Sequence, residues 1–291
     1  MIKIKKAVLP VAGFGTRFLP ATKAIPKEML AIIDKPLIEY AVEEAISAGA
    51  EEIIFITSHT KPAIKKHFSE APELEKKLID SGKIDLLKKI KPEIFTNIKF
   101  TYIDQAEQKG LGHAILLAEK AVGNDVFSVL LPDDLFLSTP TCLQQILNSY
   151  SKNFQSVIAV NKIDKENIHK YGVIDPGDYE LDEDNTVIVS DIVEKPDAED
   201  APSDIAVVGR YIFNPSIFDC IKKVEADGSG EIQITDAIKL LIQTENVQAK
   251  IFEGNKYDCG SKEGYLEATI AVAMKEPGFS DKIKKIITGK L

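Results

Sequence analysis

Five short runs rich in β-branched and apolar residues, Lys6–Val11, Glu52–Thr57, Phe100–Asp104, Asp125–Leu131 and Ser156–Val160, constrain this chain more than any other feature. Helical patterns stand between most of them. Pro36–Gly49 reads as a helix with Pro in its first turn and Gly just past its end. Leu111–Ala121 and Thr141–Tyr150 read as two more. Strands that alternate with helices predict βαβ units, because parallel neighbours need a crossover connection. The expected fold class is α/β, a doubly wound and mostly parallel sheet between helices. Ligands on such sheets gather beyond the carboxyl ends of the strands.

The second half carries more turns. Asp175–Asp178 (DPGD) is a turn signal. Val187–Val193, Ile205–Phe213 and Gln248–Phe252 read as strands. Pro215–Val224, Thr235–Leu241 and Ser261–Met274 read as helices. The charged segment Pro72–Lys91 breaks the rhythm and reads as a surface helical insertion, either a solvated helix pair or a lid or oligomer contact. No linker-like tract and no repeat divides the chain. One domain over residues 1–291 is expected, with the insertion at 72–91 and a C-terminal helical elaboration at 261–291.

Charge narrows the partners. There are 36 Lys and Arg against 45 Asp and Glu, a formal net charge of −9. That argues against nucleic acid and against an anionic membrane surface, both of which need a basic surplus. An anionic substrate must then be held by a few placed cations. Cys142, Cys220 and Cys259 are odd in number and form no CxxC, so neither a disulfide framework nor a zinc site is expected. Residues 1–6 carry no secretory apolar region, and no apolar run reaches the length of a membrane span. A reducing cytoplasm is the expected location.

Those cations cluster behind the first strand. Residues Val11–Arg17 read VAGFGTR. Gly13 and Gly15 remove Cβ atoms where backbone must turn and approach a ligand, and loop N–H groups can cradle phosphate oxygens. A plain strand-to-helix turn would use the same glycines. The dinucleotide fingerprint fails, since Phe18 stands at the third glycine position, and the P-loop GKS or GKT is absent. Arg17, Lys23 and Lys27 add three cations in a stretch punctuated by Pro20 and Pro26, which suits a triphosphate. Asp133 follows Leu131-Pro132 at the end of a buried run, where a carboxylate is placed to bind a metal; an Asx turn or helix cap reads equally well. Asp134 is the alternative one residue on.

Taken in order, AGFGTR, PKEML, QAEQKGLGHA, LPDD, KYGVI, EKP, GEIQITDA and YDCGSKEGY resemble the bacterial UTP–glucose-1-phosphate uridylyltransferases, within the sugar-nucleotide pyrophosphorylases. The likeness spans essentially the whole chain. It implies a Rossmann-like three-layer α/β/α nucleotidyltransferase with a mixed, mostly parallel central sheet, Mg²⁺ as cofactor, UTP and glucose 1-phosphate as small-molecule substrates, and a homodimer or homotetramer. It implies that Ala12, Gly13, Gly15, Thr16 and Glu28 bind nucleotide and that Arg17 and Lys27 act on the triphosphate. Gln105 and Gly110 match the pair that reads the base. Asp133 matches the metal aspartate and Asp258 a second one. Tyr171-Gly172, Glu194 and Lys195 match the sugar-phosphate site, and Val207 and Val208 the lining of the sugar pocket, though β-core reads equally well for the two valines. Thr235 reads as a helix N-cap, and His113 as a helix-surface histidine.

The same chemistry on dTTP, or on another sugar phosphate, remains open at this level. A non-catalytic nucleotide-sugar sensor would have lost Asp133, Arg17 or Lys27, and all are present. An NAD(P) oxidoreductase is disfavoured by Phe18 and by Thr57-Ser58-His59 where an acidic residue should end the second strand.

Overall fold

The fold is that of a computed structural model describing residues 3–289. The ends of the expected domain, residues 1–2 and 290–291, lie outside the described residues.

From the N-terminus, β1 (Lys6–Pro10), β2 (Ala31–Ile32) and β3 (Lys35–Pro36) precede α1 (Leu37–Ser47) and β4 (Glu52–Thr57). Then come α2 (Pro62–His67), α3 (Pro72–Asp80), α4 (Ile84–Ile90), β5 (Lys99–Asp104), α5 (Gly110–Leu117), α6 (Glu119–Val122), β6 (Phe127–Leu130), β7 (Asp134–Leu137), α7 (Cys142–Asn153) and β8 (Ser156–Lys162). The remainder is β9 (Gly172–Asp175), β10 (Thr186–Ile188), β11 (Asp191–Glu194), β12 (Ile205–Phe213), α8 (Ser216–Ile221), α9 (Ile234–Leu241), β13 (Val247–Ile251), β14 (Asn255–Asp258), α10 (Lys262–Lys275) and α11 (Ser280–Ile287).

The main sheet runs β10-β13-β8-β12-β6-β1-β4-β5, with β9 and β11 attached beside β12. β6, β1, β4 and β5 are parallel neighbours, as are β8 and β13; β12 runs antiparallel to both β6 and β8. The expected mixed, mostly parallel sheet is therefore present. Its buried strands are near-continuous Val, Ile and Phe because both faces are covered. One apolar layer packs on α5, α8 and α9, the other on α1 and α7.

Local chemistry explains most boundaries. Thr141 caps α7 by accepting from Gln144 N, and the Gln144 side chain returns to the Thr141 amide. Ser261 caps α10 in the same sense. Pro72–Lys91 forms the helix pair α3 and α4, as its charge pattern predicts. The expected strand Val187–Val193 is instead two, β10 and β11. The chain changes partner between them, since β10 pairs with β13 and β11 with β9. Among the described residues, no helix is long and apolar enough to cross a membrane.

Candidate active site

β1 delivers the glycine loop. Gly15 stands at φ 65°, and a Cβ there would lie 3.0 Å from the Cβ of Lys27. Only glycine tolerates both conditions, so the loop presses onto the turn Lys27–Met29 and brings Lys27 to a cavity of about 550 Å³. A Cβ on Gly13 would meet nothing, so the loop is open there to a ligand.

β6 delivers the carboxylates to the same cavity. Lys27 Nζ donates to Asp133 Oδ2 at 2.6 Å. Burial pushes the Asp133 carboxyl up, but Lys27 and then Arg17 outweigh it and hold the group below the ordinary carboxylate range. Burial opposes the charge on Lys27 too, yet Asp133 and Glu28 leave its ammonium raised. Asp134 lines the same cavity but pairs with a different cation. Its Oδ1 accepts from Lys256 Nζ at 2.7 Å, and that ammonium lies 4.9 Å from the centre of the Tyr171 ring.

Asp133 faces a space left empty by Gly260. A Cβ there would stand 2.8 Å from Arg17 Nη2, 2.9 Å from Asp258 Oδ1 and 3.2 Å from Asp133 Oδ2. Three side chains from distant parts of the sequence thus converge on one missing side chain. The two carboxylates supply hard oxygen donors. No group of three or more His, Cys, Asp or Glu suited to a metal occurs among the described residues. Two carboxylates fit Mg²⁺, which commonly takes one or two from protein and the rest from phosphates and water.

Beneath the turn, Arg210 is fully buried and donates to the carbonyls of Leu131 at 2.8 Å, Asp134 at 2.9 Å and Gly209 at 3.1 Å, and to Glu44 Oε2 at 2.9 Å. It holds both ends of the segment that carries Asp133. Gly209, at φ 78°, makes room, because a Cβ there would lie 2.6 Å from Asp134 Oδ2. The register of β12 against β8 shifts between Val207 and Tyr211.

The segment expected to read the base is zipped to its neighbours. Gln105 N donates to Thr57 O at 2.7 Å, and its side-chain Nε2 lies 3.4 Å from Gly110 O and 3.1 Å from His113 Nδ1. Gly110, at φ 86°, has the Ile232 carbonyl oxygen 2.8 Å from where its Cβ would be. Gln108 Nε2 donates to Ala12 O at 2.8 Å, joining this segment to the glycine loop.

Among the residues expected to hold the sugar phosphate, a Cβ on Gly172 would collide with Thr235 Cγ2 at 2.6 Å and crowd Glu194 Oε2 at 3.3 Å. Lys195 Nζ lies 3.0 Å from Glu194 Oε1, on a backbone at φ 43°, which lysine rarely adopts.

Several expectations change. The Glu28 side chain is buried, lies outside the cavity lining and faces Lys61 Nζ at 3.0 Å, which also donates to Val11 O at 2.7 Å. A sealed carboxylate needs a paired cation, and this pair is tied to the glycine loop through the Lys61 bond to Val11 O. Thr235 is not the cap of α9. Gln233 holds that position, and the Thr235 hydroxyl donates to Glu194 Oε2 at 3.0 Å. Val207 lines the cavity, but its neighbour Val208 packs into the opposite apolar layer, as strand alternation demands. Lys23 is exposed and outside the cavity lining. Ala12, Gly13, Gly15, Thr16, Gln105 and Gly110 also lie outside that lining, which takes in Arg17, Lys27, Asp133, Gly172, Glu194, Lys195 and Asp258.

Gly260, Gly209, Arg210, Lys170 and Gln233 escaped the sequence reading. Lys170, Gln233 and Gly260 stand inside quoted motifs, and Arg210 is a lone charge in an apolar strand, so signals were present.

This chain matches the family model described as nucleotidyl transferase over residues 6–275. It is 44% identical to a UTP–glucose-1-phosphate uridylyltransferase of Bacillus subtilis, covering 100% of this chain and 98% of the relative. It is 46% identical to one of Staphylococcus epidermidis, covering 99% and 98%. Among solved structures, a UTP-bound UGPase from Acinetobacter baumannii superposes with a TM-score of 0.90 at 39% identity, covering 98% of this chain and 99% of that one. A UDP-glucose pyrophosphorylase complexed with UDP-glucose does so at 0.84 and 42% identity, covering 94% and 100%. With its sheet, glycine loop and carboxylates arranged as described, this chain belongs to the nucleotidyl transferase family and, within it, to the UTP–glucose-1-phosphate uridylyltransferases.

Proposed function

We propose that this chain joins UTP and α-D-glucose 1-phosphate to give UDP-glucose and pyrophosphate by direct in-line displacement. The observation that carries this reading is the convergence of Arg17, Asp133 and Asp258 on the space above Gly260, with Lys27 beside them and Glu194 and Lys195 in the same cavity.

The nucleophile is a phosphate oxygen of glucose 1-phosphate. A phosphate monoester has its second pKa near 6, so it is mostly dianionic at pH 7 and needs no general base. The barrier is repulsion between two anions. A bond forms from that oxygen to the α-phosphorus, the bond to the bridging oxygen breaks, and the electron pair leaves with pyrophosphate. Arg17 and Lys27 neutralise the departing charge, and Lys195 holds the attacking phosphate. Glu194, oriented by Thr235, accepts from sugar hydroxyls. Asp133 and Asp258 would hold Mg²⁺, which when bound neutralises substrate phosphates. Lys27, bonded to Asp133, keeps its ammonium at the cavity for phosphate. A homodimer or homotetramer is the proposed assembly, supported by the apolar side chains Leu74, Ile79, Ile84 and Leu86 exposed on α3 and α4.

Pyrophosphate release measured across nucleoside triphosphates and sugar 1-phosphates should peak at UTP with glucose 1-phosphate; a different best pair would overturn the substrate assignment. A chiral α-thio substrate should react with inversion at phosphorus. Retention would point to a uridylyl-enzyme and defeat direct displacement.

A further inference from the structure

We infer that His113 is a positioning residue that fixes which end of the Gln105 amide faces the base, and thereby selects uracil over cytosine. This rests on the reading of Gln105 as the base contact.

Donors and acceptors around the amide set its orientation. The Gln105 side chain is nearly sealed, with 5% of its surface exposed. The Gly110 carbonyl oxygen only accepts and so favours the NH₂ beside it, but at 3.4 Å it is a weak anchor. Its second hydrogen then lies toward His113 Nδ1 at 3.1 Å. That nitrogen must accept, so the ring is neutral with its proton on Nε2. Both amide hydrogens are thus engaged inside the protein, and Oε1, an acceptor, is what remains for a ligand. The place is suitable. Gly110 is followed by Leu111, which lines the cavity, and Gln108 ties the segment to the glycine loop.

An acceptor set against N3 of a pyrimidine discriminates. Uracil and thymine carry a hydrogen on N3 and donate it. Cytosine presents a lone pair there and is repelled. Without the Nδ1 acceptor, the amide loses the stronger of its two anchors and can rotate, turning NH₂ outward to suit cytosine. His113 is half-buried on α5, lies outside the cavity lining and meets the Gln105 side chain, so it acts through that amide and not on the substrate.

The test compares kcat/KM for UTP, CTP and dTTP. In His113→Leu and in His113→Ala, the UTP-to-CTP ratio should fall by about tenfold or more. The UTP-to-dTTP ratio should hold within about twofold, because both bases keep the N3 hydrogen. His113→Asn should retain the wild-type UTP-to-CTP ratio, since its Oδ1 can stand near the place of Nδ1. Gln105→Leu should abolish the preference in either background. If Gln105→Leu erases selectivity while both His113 variants keep it, the role given to His113 is wrong and the base contact stands. If Gln105→Leu leaves the ratio unchanged, the base contact itself is wrong. A parallel fall in all three nucleotides on replacing His113 would mean a purely structural residue and would also overturn the inference.

Discussion

The two sides of the cavity are built by different means. On the proposed nucleotide side, charges are gathered from across the fold. Lys27 pairs with Asp133, 106 positions away, and Arg17 and Asp258 both approach the place a Gly260 Cβ would take. On the sugar side, Glu194 is bonded to a neutral hydroxyl and to its own neighbour Lys195, whose ammonium is half exposed. The adjacent carboxylates Asp133 and Asp134 divide between the two. Asp133 belongs to the first side, while Asp134 anchors Lys256 against Tyr171 on the second. A triphosphate needs dense charge held still, and such charge stays in place only if opposite charge waits with it. A sugar needs directional hydrogen bonds, which short local contacts supply.

Asp133→Asn should lower kcat by about 100-fold or more, the loss typical of one preorganised electrostatic group. Asp134→Asn should instead lower stability by about 3 kcal/mol, as expected when one partner of a buried pair is removed, and show this in urea unfolding. The reverse pattern would exchange the two aspartates and break the comparison. Gly260→Ala should cost about tenfold in kcat with little change in Tm, since the intruding Cβ meets only side-chain ends that can move off the reacting geometry. A large fall in Tm would show that Gly260 serves the fold instead.

Lys195→Ala should raise KM for glucose 1-phosphate by about tenfold and leave KM for UTP unchanged, the loss of one charge-assisted bond at a half-exposed site. An effect confined to UTP would mean that the phosphate sites are crossed. The smallest effect is in pH. The folded pKa of Asp133 is depressed, so its pairing contributes stability that is full above the unfolded value of about 4 and is lost as pH falls through the lower folded value. Asp133→Asn should therefore flatten the acid limb of a plot of Tm against pH below about 4. An unchanged limb would place the acid sensitivity in other carboxylates.

Much of this was legible along the chain. The run Glu52–Thr57 is a strand over that same span, and so is Ile205–Phe213, because a buried strand writes its apolar period directly into the sequence. The helix before Gly49 and the helices that follow Thr141 and Ser261 were expected from residues with local reasons to be there. Thr235 failed for the same reason, since a threonine at a helix start invites a capping role, and the hydroxyl went to Glu194 across the sheet. The pairing of Glu28 was not legible, because its partner Lys61 lies 33 positions on and shows no pattern linking the two.

What the sequence alone determined was the alternation of strands and helices, the place of the glycine loop, and the residue types gathered at the strand ends. These depend on side-chain period and on backbone freedom within a few positions. Only the tertiary structure decided which carboxylate met which cation, how Arg210 secured the turn between them, and which way the Gln105 amide was set. Those outcomes depend on distances between segments far apart in the chain, and burial, which forces each polar group to find a partner, exists only once the sheet has closed.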